Sequence, residues 1–197
     1  MVITKARKIA ERIFLPFVRV FVFLKISPNI LSIVGVLFSI LAFLFSSPTI
    51  NGCFIAVLFI TLSSFMDLLD GMVARALGKV SKFGSFLDSV FDRISDTFYI
   101  LSLIRVDINQ YLALIVLLLS YLISYSRAKA ESLGIEIEGI GIIERGERVL
   151  FIIAILIIRS LSYVISQVLL VILGILSLVT VIQRAYYVNR ELRSKEL

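Results

Sequence analysis

Five aspartates are the residues of this chain whose type and spacing could do chemistry. Asp67 and Asp70 close a long apolar stretch, and Asp88, Asp92 and Asp96 follow at intervals of four. Spacings of three and four put each set on one face of a helix. A carboxylate at membrane depth costs roughly 2.5–3.5 kcal/mol on insertion scales, so several near one interface require a partner that offsets the penalty. Two helices joined by a short connection can bring both faces together. The chain has no His and a single Cys53, which excludes an intrachain disulfide and any Cys/His metal site. A metal held by these aspartates takes oxygen ligands, the preference of Mg²⁺, Mn²⁺ or Ca²⁺. The competing reading is a solvated charged loop in which they pair with Arg75, Lys79, Lys82 and Arg93. The residues between the two sets favour a built site. Gly71 lets backbone approach a ligand, Ala74 is small, Arg75 is a fixed cation suited to phosphate, and Gly84 opens the second helix four residues before Asp88.

These carboxylates must be positioned by a membrane-embedded scaffold. Of 197 residues, 59% are hydrophobic and 17% charged, and residues 26–66, 108–126 and 160–183 carry no charge. A helix crossing the hydrocarbon layer needs about 20 mostly apolar residues, so these runs alone supply four crossings. The turn signal from Ser46 to Gly52 divides the first run. Six transmembrane helices are expected, over about 29–47, 52–76, 84–105, 108–132, 144–160 and 162–188. Residues 3–24 alternate Lys5, Arg7, Lys8, Arg12 and Arg19 with Ile9, Ile13, Phe14, Phe17, Val18 and Phe21, the pattern of an amphipathic helix lying in the interface. No small-residue cleavage site follows a short apolar core, so this segment is expected to be retained. The fold class is therefore all-α: an integral membrane bundle of six transmembrane helices, preceded by an N-terminal interfacial helix, in one domain spanning 1–197. The net charge of +6 falls beside the hydrophobic runs, which points to membrane lipids and away from nucleic acid. Of 20 basic residues only Arg105 and Arg159 lie near the short turns on one side. The positive-inside rule then puts both termini and the aspartates on the cytoplasmic face of the cell membrane.

The segment running Asp67-Leu68-Leu69-Asp70-Gly71-Met72-Val73-Ala74-Arg75, then eight residues to Gly84, three to Asp88 and three to Asp92, resembles the full signature of the CDP-alcohol phosphotransferases. The resemblance extends to the six-helix layout and so to nearly the whole chain. It implies a metal-dependent membrane enzyme that moves a substituted phosphate from a CDP-linked lipid donor to an alcohol and releases CMP. It further implies that Asp67 and Asp88 bridge two divalent cations, Mg²⁺ or Mn²⁺, with Asp70 completing one site and Asp92 the other. Asp92 is also the family's proposed general base. Gly71, Ala74, Arg75, Ser81 and Gly84 fall where the family holds the nucleotide diphosphate. Pro28-Asn29 resembles the family's sequence at the start of the first membrane helix, which makes Asn29 and Ser32 candidates for the nucleotide; helix punctuation by Ser27 and Pro28 explains the same residues. Asp96 lies outside the motif and is expected to pair with Arg93 or with a buried arginine. The family resemblance also implies a homodimer.

The acceptor must be read from cations on the metal-bearing side. Arg127, Lys129, Arg145 and Arg184 emerge there from three helices, and converging cations match an acceptor that is itself a phosphate ester. The strings 125–131 and 143–148 resemble the branch that uses inositol 1-phosphate, the phosphatidylinositol phosphate synthases and archaetidylinositol phosphate synthases; Lys129 and Gly146 are mild departures from it. Glycerol 3-phosphate is the alternative polyol phosphate. A small ion- or proton-coupled transporter would also carry intramembrane aspartates, but it leaves the spacing of Gly71, Ala74, Arg75 and Gly84 unexplained. Its site would also be expected near the midplane.

Overall fold

The computed structural model describes residues 14–195, and every regular element among them is a helix. The segment expected as an interfacial helix is helical over its described part, α1 (Phe14–Phe23); its portion over 3–13, with Lys5, Arg7, Lys8 and Arg12, lies outside the described residues. Six further helices follow: α2 (Pro28–Phe45), α3 (Ile50–Ala76), α4 (Lys82–Arg105), α5 (Gln110–Ser132), α6 (Arg145–Arg159) and α7 (Tyr163–Lys195). Four of them, α2, α3, α5 and α7, are long and apolar enough to cross a membrane. The other two fall short for identifiable reasons. Charged residues run along α4 from Lys82 through Asp88, Asp92, Arg93 and Asp96 to Arg105, and α6 has only 15 residues.

The helix boundaries follow local chemistry. Thr49 accepts the Gly52 N–H at 3.0 Å to cap α3, Ser81 accepts the Gly84 N–H at 3.0 Å to cap α4, and Asn109 accepts the Leu112 N–H at 3.1 Å to cap α5. The α2–α3 turn closes so tightly that a Cβ on Gly52 would overlap Ser47, which makes glycine obligatory there. At this end of the bundle both basic residues are consumed by the turns. Arg105 donates from Nε to the Ser46 carbonyl at 3.1 Å and stacks over Phe43, while Arg159 donates to the Val106 carbonyl at 2.8 Å and stacks over Tyr163.

The core is a continuous apolar body through Ala42 and Ile60 on α2 and α3, Leu103 on α4, Val116 on α5, Ile155 on α6 and Leu173 on α7. Here α2 packs on α3 and α4, α5 on α7, and α6 against α7, α3 and α4. A second cluster seats α1 on the bundle, with Val18 against Leu31, Leu69 and Val73. A third folds the 133–144 loop back, with Ile135 and Ile137 packed on Ala130 and Tyr187. The α3–α4 connection and this loop thus lie at the same end of the bundle, where the aspartates and most arginines gather.

Candidate active site

The end of α3 and the start of α4 bring three of the aspartates together. One carboxylate oxygen from each of Asp67, Asp70 and Asp88 lies within 4.8 Å of the others. Three converging hard oxygen donors, with neither sulfur nor imidazole nearby, fit a divalent cation of the Mg²⁺ or Mn²⁺ type. Ser32 of α2 donates a short hydrogen bond to the Asp70 carboxylate, so a third helix helps orient the cluster. Asp92, one turn further along α4, lies beside this group. Its Oδ1 is 2.9 Å from Arg145 Nη1, and its Oδ2 is 3.6 Å from Arg93.

Arg145, the first residue of α6, ties the two sets of carboxylates into one network. Its Nη1 is also 2.5 Å from Asp67 Oδ2, and its Nε is 3.3 Å from Asp96 Oδ1. Asp96 is shared with Arg148 at 3.3 Å, and both of those residues are buried. Asp96 therefore pairs with the buried Arg148 and the half-buried Arg145 of α6, whereas Arg93 faces Asp92. Of the four cations in the solvated-loop reading, only Arg93 pairs with an aspartate among the described residues; Arg75, Lys79 and Lys82 form no ion pair with a carboxylate.

Two cavities flank the aspartates. One, of about 350 Å³, is lined by Asn29, Ser32, Gly71, Ala74, Arg75, Ser81 and Gly84, all of the residues marked from sequence for the nucleotide, together with Asp70 and Asp88. On the α3 side Gly71 and Ala74 present no long side chain to it. The other, of about 400 Å³, is lined by Asp88, Asp92 and Asp96, by Arg93, Arg127, Arg145, Arg148 and Arg184, and by Glu131 and Glu144. Ser85 and Asp88 line both, so the two spaces meet at the carboxylate cluster.

The four cations singled out for the acceptor are placed differently. Arg145 faces the second cavity and the aspartates together. Arg127 lines it while pairing with Glu131 at 2.9 Å. Arg184 is buried and spends two donors on backbone, to the Ile140 carbonyl at 2.9 Å and the Ile123 carbonyl at 2.6 Å. Lys129 is exposed and is not among the lining residues. Arg148 went unmarked in the sequence, although its i,i+3 relation to Arg145 puts both on one face of α6.

A polytopic helical bundle that gathers carboxylates between two cavities at one end defines the class: membrane proteins with a two-chambered acidic site. Residues 25–186 match the family model for CDP-alcohol phosphatidyltransferases, and the chain belongs to that family of enzymes. It is 41% identical over 152 residues to the archaetidylinositol phosphate synthase of Aeropyrum pernix, covering 77% of this chain and 76% of that relative. Its backbone matches the crystal structure of Mycobacterium tuberculosis phosphatidylinositol phosphate synthase with CDP-DAG bound, with TM-score 0.78, 29% identity, and 90% and 94% of the two chains covered. The same enzyme in complex with manganese and citrate matches with TM-score 0.77 and 28% identity, over 88% of this chain and 87% of that one.

Proposed function

We propose that this chain transfers an archaetidyl or phosphatidyl group from a CDP-linked lipid to inositol 1-phosphate, with release of CMP. The observation that carries the reading is the meeting of two chemically different cavities at Ser85 and Asp88. One wall has the glycines and Arg75 suited to a diphosphate, and the other has five arginines suited to a phosphorylated polyol. The name of the 41% identical relative supports inositol phosphate as acceptor and an ether lipid as donor.

In this reading Asp67, Asp70, Asp88 and Asp92 would hold two divalent cations, Mg²⁺ or Mn²⁺. The cations would supply neutralisation of charge on the diphosphate and on the departing CMP. Gly71, Ala74 and Gly84 leave room for the diphosphate, Arg75 contacts it, and Asn29, Ser32 and Ser81 line its approach. Arg127, Lys129, Arg145 and Arg184 serve the acceptor phosphate, with Lys129 acting from the rim. Asp92 takes the proton of the acceptor hydroxyl as that oxygen bonds to the lipid-side phosphorus. The bond from that phosphorus to the CMP oxygen breaks, and CMP leaves with the electron pair.

The proposal includes six crossings in one domain, with α4 and α6 shielded by their neighbours, and a homodimer on family grounds. It places the site and both termini on the cytoplasmic side, because the basic residues crowd that end. The test is CMP release by detergent-purified protein given a CDP-linked lipid, Mg²⁺ and one acceptor at a time: inositol 1-phosphate, glycerol 3-phosphate, free inositol or serine. Inositol 1-phosphate is expected to give the fastest release. Preference for glycerol 3-phosphate would overturn the acceptor, and no release with any acceptor, in membranes as well as detergent, would overturn the reaction.

A further inference from the structure

One turn deeper in the bundle than the carboxylates, hydroxyl groups of α3 and α4 form a hydrogen-bonded line that ends on a backbone carbonyl of α2. The phenol of Tyr99 on α4, fully buried, donates to Ser63 Oγ on α3 at 2.7 Å. Ser63 in turn donates to the Gly35 carbonyl of α2 at 2.6 Å, and Ser64 Oγ lies 3.4 Å from the same phenol. Each member sits on the face of its helix that carries the site. Ser63 precedes Asp67 by four residues and Asp70 by seven; Tyr99 follows Asp92 by seven and Asp96 by three. Gly35 follows Ser32 by three, and Ser32 holds Asp70.

Burial alone does not demand this arrangement. Ser39 and Ser102 are equally buried and satisfy their hydroxyls on their own helices, at the Val36 and Phe98 carbonyls. Ser63 bonds across helices instead. The close approach it needs is built in: a Cβ on Gly35 would stand 3.3 Å from the Ser63 carbonyl oxygen and 3.4 Å from Met66 Cβ. Apolar packing by itself sets helix rotation weakly in a bilayer, where lipid-facing and core-facing sides are both apolar. Rotation matters at the site. Turning a helix by about 10° moves a side-chain atom about 6 Å from its axis by about 1 Å, several times the tolerance of about 0.2 Å for a metal–ligand distance.

We propose that Tyr99, Ser63 and Gly35 form a positioning network that fixes the rotation of α2, α3 and α4 and so sets the convergence of Asp67, Asp70 and Asp88. It rests on the reading that this cluster binds a divalent cation, and Mn²⁺ titration of the full-length protein in detergent, followed by electron paramagnetic resonance without any lipid substrate, tests it. Tyr99→Phe weakens Mn²⁺ binding about tenfold and lowers kcat with the acceptor KM unchanged, while the control Ser102→Ala binds Mn²⁺ within about twofold of the parent. An unchanged Mn²⁺ affinity in Tyr99→Phe overturns the network, even if the thermal midpoint falls. Should Tyr99→Phe fail to fold, Ser63→Ala removes the same cross-helix bond and carries the same expectation. A parent protein that takes up no Mn²⁺ overturns the metal reading and the network together; CMP release alone then judges the transferase reading.

Discussion

Arg145 Nη1 stands 2.5 Å from Asp67 Oδ2 across 78 residues of sequence, and the same guanidinium faces the cavity proposed for the acceptor. One side chain therefore joins the carboxylate cluster to the arginine-lined space. Its position also opposes a cation at Asp67, because both draw on the same carboxylate.

Arg145→Gln is predicted to act on two measurements in opposite directions. The KM for inositol 1-phosphate rises about tenfold or more from the lost charge-assisted contact, with the donor KM little changed. Mn²⁺ binding in the absence of substrates stays as tight as in the parent or becomes tighter, since a competing positive charge has gone. A donor KM that moves instead of the acceptor KM would reassign this arginine to the nucleotide side.

Asp88 belongs to the carboxylate cluster and to both cavity walls. Asp88→Asn is predicted to lower CMP release by at least about a thousandfold, because the amide removes charge where a cation and both substrates meet. Chelation should silence the parent to the same extent, and Mg²⁺ or Mn²⁺ should restore it. Added Mn²⁺ should raise the parent's thermal midpoint through binding to the folded form and leave that of Asp88→Asn unmoved. Full activity after exhaustive chelation would refute the metal reading.

Most helix ends were legible in the sequence because local chemistry encodes them, although α7 runs to Lys195, past the expected end at 188. The expected helix over 84–105 is α4 (Lys82–Arg105), with Ser81 and Gly84 as its start signal. The motif spacing likewise brought together Asp70, Gly71, Ala74, Arg75 and Gly84, which line one cavity, whereas Asp67 lines neither. What was not legible is helix phase between distant elements. In an apolar bundle the pattern does not separate a face toward lipid from a face toward protein, so the placement of Lys129 outside the cavity lining and Arg148 within it emerged only in three dimensions. Arg184 looked like a free cation for the same reason, since its partners Ile123 and Ile140 are backbone carbonyls 61 and 44 residues away.

Asp96 holds Arg145 and Arg148 at 3.3 Å each in a buried position. Asp96→Asn strips the negative charge from under two guanidinium groups, and orphaning a buried charge costs on the order of 3 kcal/mol. The predicted outcome is a lower thermal midpoint and a raised acceptor KM, with Mn²⁺ binding retained. Loss of Mn²⁺ binding equal to that of Asp88→Asn would place Asp96 among the metal ligands instead.

Arg184 separates anchoring from recognition. Its guanidinium bonds carbonyls on α5 and on the 133–144 loop, clamping the loop beside the arginine-lined cavity. Arginine has five N–H donors in a fixed plane, so two can serve the clamp while others remain for a phosphate. Lysine keeps the charge but concentrates it at one ammonium, which cannot span both carbonyls and an acceptor. Arg184→Lys is therefore predicted to lower the thermal midpoint and to raise the KM for inositol 1-phosphate about tenfold, with the donor KM unchanged. A lower midpoint with normal acceptor KM would make Arg184 a clamp only. A raised KM at an unchanged midpoint would mean that the carbonyl bonds contribute little and that the charge acts on the acceptor directly.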